Sequence, residues 1–181
     1  IYSEYVMYFN QPPVFNKSFR YNVNKAVKNG AQFHHNNSKI ILEKLFDLLN
    51  TTKQIRYSKY GENYSAFPFL HLNQLTIAKL VDSNLAQLYY ASVNGDIHCV
   101  RCALEKNGRV FGLMIASDEI AYKMGLHYFI HYNLIKQYHQ QNALYYNISG
   151  TADGDQGRGL SDFKESLGFK RVYEYGKDSL Y

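Results

Sequence analysis

The stretch from residue 86 to 116 constrains the fold more than any other. Three apolar, β-prone segments lie end to end: Ala86-Gln-Leu-Tyr-Tyr-Ala-Ser-Val93, residues 96–105, and Arg109 to Ala116. Asn94-Gly95 separates the first two, and Lys106-Asn107-Gly108 the second pair. Asn-Gly is the strongest short hairpin signal, because both central residues of a type I′ turn need positive φ. A three-stranded antiparallel meander follows. The rest of the chain must supply elements that cover the meander.

The flanks read as alternating helices and strands. Residues 3–9 are β-prone and Pro12-Pro13 ends them. Ser18 can cap a helix to Asn29, with Gly30 as its stop and Phe19, Val23, Ala26 and Val27 on one face. Residues 31–35 suit a short strand. Ser38 can cap a helix from Lys39 to about Asn50, with Leu42, Leu45, Phe46 and Leu49 inward. Thr51 to Leu72, polar and Tyr-rich, reads as a long loop with one helical turn, and Asn73 as the cap of a helix to Asp82. Beyond the meander, Asp118 to Met124 is short and helical or irregular. Leu126 to Gln141 is a long amphipathic helix, 143–149 a strand, and Gly150 to Gly159 a Gly-rich loop. Leu160 to Leu167 is a short helix stopped by Gly168, and Lys170 to Tyr175 the last strand. The order predicts a mixed α/β (α+β) fold with helices on both faces of a mostly antiparallel sheet. One domain is expected over 1–181, its helical, basic part in 1–84 and its meander and β-α-β-α-β part in 85–181.

Charge is uneven. Residues 1–60 carry nine Lys/Arg and three Asp/Glu, a surplus of +6, and the remainder carries eleven and twelve, −1, giving the net +5. A patch around Lys17, Arg20, Lys25 and Lys28 suits a phosphate-bearing partner, or simply a solvated helix face. No run of about 18 apolar residues is present, so no membrane span is expected. The first residues lack a basic and then apolar leader, and Ile1 is not an initiator Met. A cytoplasmic product of processing, or a piece of a longer chain, is expected.

Two patterns carry a resemblance. One is Gly157-Arg158-Gly159-Leu160-Ser161-Asp162-Phe163-Lys164-Glu165-Ser166-Leu167-Gly168-Phe169, following the strand Tyr145-Tyr146-Asn147-Ile148-Ser149-Gly150. The other is Phe19-Arg20-Tyr21-Asn22-Val23-Asn24-Lys25-Ala26-Val27-Lys28-Asn29-Gly30. With the meander between them, they resemble the GNAT (Gcn5-related N-acyltransferase) superfamily, most closely its Fem-type aminoacyl transferase branch. The resemblance covers most of residues 3–176. It departs in two places. Fem-type enzymes carry two such domains, and this chain has room for one. Acetyl-CoA users carry a two-glycine turn before the long helix, where this chain reads Ala121-Tyr122-Lys123-Met124-Gly125-Leu126, with one.

The resemblance implies transfer of an acyl or aminoacyl group from an acyl-CoA thioester or aminoacyl-tRNA to a small-molecule or peptide amine, with no tightly bound cofactor. It also implies a split in the sheet where the meander meets the strand after the long helix. Tyr145 and Asn147, on one side of that strand, and Lys164 of the Phe-Lys pair are the candidate catalytic residues, Lys164 as a stabiliser of negative charge. Arg20, Lys25, Lys28, Met124, Gly125, Gly150 and Arg158 are the candidates for binding substrate or cofactor. Phe163 is expected to be buried against the sheet, with Lys164 about 100° further round the helix, toward the Gly-rich loop and cleft. A catalytically silent GNAT-like binding domain is the main alternative, and a nucleic-acid-binding module a third.

Other signals are weaker. Cys99 and Cys102 lie in a strand, where odd spacing sends them to opposite faces as two buried thiols. His127 and His131 have metal-compatible spacing, but Tyr128 stands where a zinc protease has Glu, and a polar helix face is the better reading. Asp153-Gly154-Asp155 lacks the later Glu of a calcium loop. There is no Walker sequence and no Gly-x-Ser-x-Gly.

Overall fold

A computed structural model describes residues 2–61, 72–150 and 155–174. In chain order the elements are β1 (Tyr2–Tyr8), α1 (Lys17–Lys28), β2 (Gln32–His35), α2 (Lys39–Tyr60), α3 (Gln74–Asp82), β3 (Ala86–Val93), β4 (Asp96–Lys106) and β5 (Arg109–Ser117). There follow α4 (Glu119–Met124), α5 (Leu126–Gln140), β6 (Tyr145–Asn147), α6 (Asp155–Ser166) and β7 (Lys170–Glu174). The strands form one sheet in the order β2-β3-β4-β5-β6-β1-β7. The meander is as expected: both turns have positive φ at Asn94 and Gly95 and at Asn107 and Gly108. Only β5 and β6 run parallel among the described strands, and they stay paired for just three positions, Arg109↔Tyr145 to Phe111↔Asn147. Beyond Phe111, β5 runs on to Ser117 without β6 beside it. The sheet therefore splits there.

Helices cover both faces. Phe19, Val23 and Ala26 of α1 and Leu126, Phe129, Ile130 and Leu134 of α5 pack on one face, against Tyr5, Tyr89, Ala103 and Tyr146. Ile41, Leu42, Leu45 and Leu48 of α2 and Ile77 of α3 pack on the other, against Leu88, Val100, Met114 and Ala116. Cys99 joins the first cluster and Cys102 the second, as strand alternation requires.

Several boundaries differ from expectation. Asn16, not Ser18, caps α1, its side chain accepting from the Phe19 N–H at 2.8 Å. Val27 is exposed, because the face that meets α5 is narrower than the sequence pattern suggests. Helix α2 continues to Tyr60, ten residues past Asn50, because no Gly or Pro interrupts it before Gly61. It is also anchored: the Thr52 hydroxyl donates to the Ser117 carbonyl at 2.8 Å and accepts from the Ser117 N–H at 3.0 Å. The rest of the expected loop, 62–71, lies outside the described residues. Helix α6 begins at Asp155 and takes in Gly157 and Gly159, so the Gly-rich stretch is partly helical. Residues 151–154 lie outside the described residues. Strand β6 is shorter than 143–149 for a reason that shapes the site below.

Candidate active site

Strand β6 ends in a bulge. Ile148 N–H donates to the Tyr5 carbonyl at 2.9 Å, and Tyr5 N–H donates to the Ser149 carbonyl at 3.1 Å, so two residues face one. Ser149 sits at φ 60, in the left-handed region that L-residues other than Asn and Asp seldom enter. Asn147 holds the bulge from within: its Oδ1 accepts from the Ser149 N–H at 2.7 Å, and its Nδ2 donates to Glu4 Oε2 at 2.6 Å. Gly150 next to it passes so close to the Ser3 carbonyl that any Cβ there would collide with it.

The bulge turns three successive carbonyls inward, and Lys164 occupies the space between them. Its Nζ donates to Ile148 O at 2.8 Å, Ser149 O at 2.9 Å and Gly150 O at 2.7 Å. An ammonium has three donors, and all three are used. The side chain is 5% exposed and lies 5.3 Å over the Tyr5 ring. Burial, then the Arg101 guanidinium, push its pKa down to about 7, with Glu4 opposing them. Phe163 is only partly buried, packing edge-on against Tyr128, His127 and His131. Its expected place against the sheet is taken by Lys164, because the carbonyl turn offers an ammonium what an apolar ring cannot use.

Next to this turn lies a buried basic cluster. Arg101, from the middle of β4, is 4% exposed. Its guanidinium covers Gly112, where any Cβ would strike it, at the first position of β5 past the last pairing with β6. It lies 5.8 Å from the Tyr146 ring. His131 is 2% exposed and packs against Tyr146, Phe163 and Phe169. Burial, followed by Arg101, His127 and Lys164, holds it well below the ordinary histidine pKa. His127 Nε2 lies 3.0 Å from Ser117 Oγ. Burial, then Arg56 and Arg101, bring its pKa to about 4, with Asp118 opposing. Both histidines are therefore neutral at pH 7, and His131 belongs to the core rather than to a polar helix face, because α5 lies across the sheet at that point. Among the described residues, no three His, Cys, Asp or Glu are placed to hold a metal.

Of the residues singled out from the sequence, Lys164, Gly150 and Asn147 meet at one turn. Tyr145 does not join them: it stacks edge-on with Tyr8 at 6.1 Å. Met124 packs against the α1/α5 core. Gly125, at φ 73, closes α4 and opens α5, and a Cβ there would lie 2.9 Å from the Asn22 carbonyl, so a glycine lets α1 approach. Arg20, Lys25 and Lys28 are exposed along α1, and Arg158 is exposed on α6, outside the buried cluster. Sequence reasoning missed Arg101 and read His131 only as part of a polar helix face, whereas it is buried. The signal for Arg101 was a lone charge amid Cys99-Val100 and Cys102-Ala103, one strand from a glycine. A groove of about 480 Å³ opens past the end of β5, lined by Thr51, Gln54, Ile55, Ser58, Asp118, Glu119 and Ile120.

The split parallel pair, the long helix behind it and the converging basic groups define an acyltransferase-type fold. A family model described as "Acetyltransferase (GNAT) domain" matches residues 15–165, and the chain belongs to that family. No curated protein sequence matches significantly. Among solved structures, FemX superposes with a TM-score of 0.73 at 13% identity, over 94% of this chain and 60% of FemX. The C-terminal domain of a lysylphosphatidylglycerol synthetase from Agrobacterium fabrum, itself described as putative, gives 0.65 at 9% identity, over 94% and 57%. The aminoglycoside acetyltransferase HMB0005, from an uncultured soil metagenomic sample, gives 0.57 at 12% identity, over 83% and 99%. The likeness is one of fold. This chain spans about 60% of the length of FemX and nearly all of the smaller acetyltransferase. No helix among the described residues is long and apolar enough to cross a membrane.

Proposed function

We propose that this chain transfers an acyl or aminoacyl group from a thioester or tRNA donor to the amine of a small molecule or peptide. The observation that carries the reading is the buried Lys164 ammonium, fixed by three carbonyls where β5 and β6 part. In such a transfer the neutral acceptor amine attacks the donor carbonyl carbon. The new C–N bond forms as the C–S bond of a thioester, or the ester C–O bond of a charged tRNA, breaks. The proton lost by the amine ends on the leaving sulfur or oxygen. Negative charge gathers on the carbonyl oxygen meanwhile, and a fixed positive charge in a low-dielectric split stabilises it. Lys164 acts here through its field, since its hydrogens are already engaged. Asn147 and Gly150 are positioning residues that shape the turn.

The single glycine before α5 argues for weak acetyl-CoA binding. The exposed Arg20, Lys25 and Lys28 suit a donor with many phosphates, such as tRNA. A silent binding domain is the second reading, favoured by the complete use of the Lys164 hydrogens. The test is transfer from labelled aminoacyl-tRNA and from acyl-CoAs to a panel of amines, with Lys164→Met and Lys164→Arg beside wild type. One donor class should support transfer, with a loss of about 100-fold or more in Lys164→Met. Partial rescue in Lys164→Arg should accompany it. Donor binding without turnover would establish the silent domain.

A further inference from the structure

Arg101 is a buried charged group that the transfer reading leaves unused. Its Nε and Nη2 have no hydrogen-bond partner, and both are sealed from solvent. These two nitrogens are not a random pair. They form one edge of the guanidinium, whose two parallel N–H groups match the two oxygens of a carboxylate. Buried polar atoms are nearly always satisfied, and a buried charge without a partner is costly. The nearby acids among the described residues are engaged elsewhere. Glu4 accepts from Asn147 Nδ2, and Asp118 pairs with His98 at 2.7 Å and caps α4. Glu105 accepts from the Tyr89 and Tyr138 hydroxyls. Arg101, His127, His131 and Lys164 thus form a basic cluster without an acid assigned to Arg101, and its charge helps lower the pKa of the other three.

Resting on the transferase reading, we infer that the Nε/Nη2 edge of Arg101 receives a substrate carboxylate, presented at the split beside Gly112, so that the enzyme selects a carboxylate-bearing substrate. Gly112 supports this in two ways. It leaves the space that the guanidinium fills, and it stands at the first β5 position past the last pairing with β6. A carboxylate fits better than a phosphate because the unpartnered edge is a single planar fork, buried from solvent.

The carboxylate can belong to the transferred acyl group or to the acceptor, and two binding arms separate these sources. One compares S-succinyl-N-acetylcysteamine with S-butyryl-N-acetylcysteamine. The other compares L-alanine with L-alaninamide. Inorganic phosphate serves as a further probe. Binding is followed by calorimetry and by the ¹⁵Nε signal of Arg101, assigned by its absence from Arg101→Met. In one arm the acid should bind at least about tenfold more tightly than its neutral partner, the scale of one lost charge-assisted hydrogen bond. It should also shift the Arg101 signal. Arg101→Met should abolish that preference while melting at the same or a higher temperature, since it removes a buried charge. Arg101→Lys should keep only part of it, and Gly112→Ala, which displaces the guanidinium, should lose it. Equal binding of acid and neutral partner in both arms, a preference that survives in Arg101→Met, or a signal moved by phosphate alone would overturn the inference. If the carboxylate preference holds but no donor supports transfer, the receptor stands and the transferase reading fails. If transfer proceeds equally well with neutral substrates, the reverse is true.

Discussion

On the α2/α3 side of the sheet the buried cluster is Ile41, Leu42, Leu45, Leu48, Ile77, Leu88, Val100 and Met114, with no buried charge among the described residues. On the α1/α5 side the same strands bury Arg101 and meet His131, Lys164 and a set of tyrosines whose hydroxyls need partners. The first face is held mainly by apolar area, at about 25 cal/mol per Å² removed from water. The second gives up part of that gain to desolvate charges, which a chain tolerates where the charges serve a ligand. The proposed site lies on the side that carries these buried charges.

The largest effect should come from the purely apolar face. Leu45 is fully buried, so Leu45→Ala should cost about 2–5 kcal/mol in denaturant unfolding while leaving the ligand preference of Arg101 unchanged. A smaller loss than Arg101→Met shows would break the contrast between the faces.

Gly150→Ala should come next. The new methyl meets the Ser3 carbonyl, a backbone atom that cannot swing aside, and overpacking of this kind costs about 1–3 kcal/mol. Because the same backbone carries one of the Lys164 carbonyls, transfer should fall in the protein that remains folded. A fully active and stable Gly150→Ala would show that the turn tolerates rearrangement.

The polar face should also write itself into the pH dependence. His127 is held at about 4 against an ordinary 6.5, so between these pH values the unfolded chain binds a proton that the folded one refuses. Stability should therefore fall as pH drops through that window, and His127→Gln should flatten the fall. Lys164 works in the same sense at higher pH. With its pKa lowered from 10.5 to about 7, stability should rise as pH climbs above 7, and Lys164→Met should remove the rise. The clean window closes near pH 9, where the buried thiols, pushed up to about 12, begin to favour the unfolded chain. Parallel unfolding curves at pH 5, 7 and 8.5 would check both slopes. Identical slopes in wild type and both variants would mean that these groups are more hydrated than their burial indicates.

The smallest expected effect is none at all. Cys99 and Cys102 face opposite clusters, yet burial raises both thiol pKa values alike, and neither should react with a disulfide reagent in the native protein. Fast reaction of Cys99 alone would show that the polar face opens more readily than the apolar one.

The meander, both Asn-Gly turns, the opposite faces of the two cysteines and the long helix α5 were legible in the sequence. Each rests on local chemistry: positive φ at turn residues, period-2 alternation, an apolar stripe. The Phe163-Lys164 pair was legible as a motif, but not which of the two lies deeper. That depended on Ser149 turning left-handed and Asn147 pinning its N–H, which aimed three carbonyls at one point. The anchoring of α2 likewise depends on Thr52 reaching Ser117, a contact 65 residues away. The sequence by itself determined where the strands turn and which faces are apolar, because those preferences act within a few residues. Only the tertiary structure decided that Arg101, His131 and Lys164 share one buried space, because β4, α5 and α6 approach one another only when the sheet is assembled.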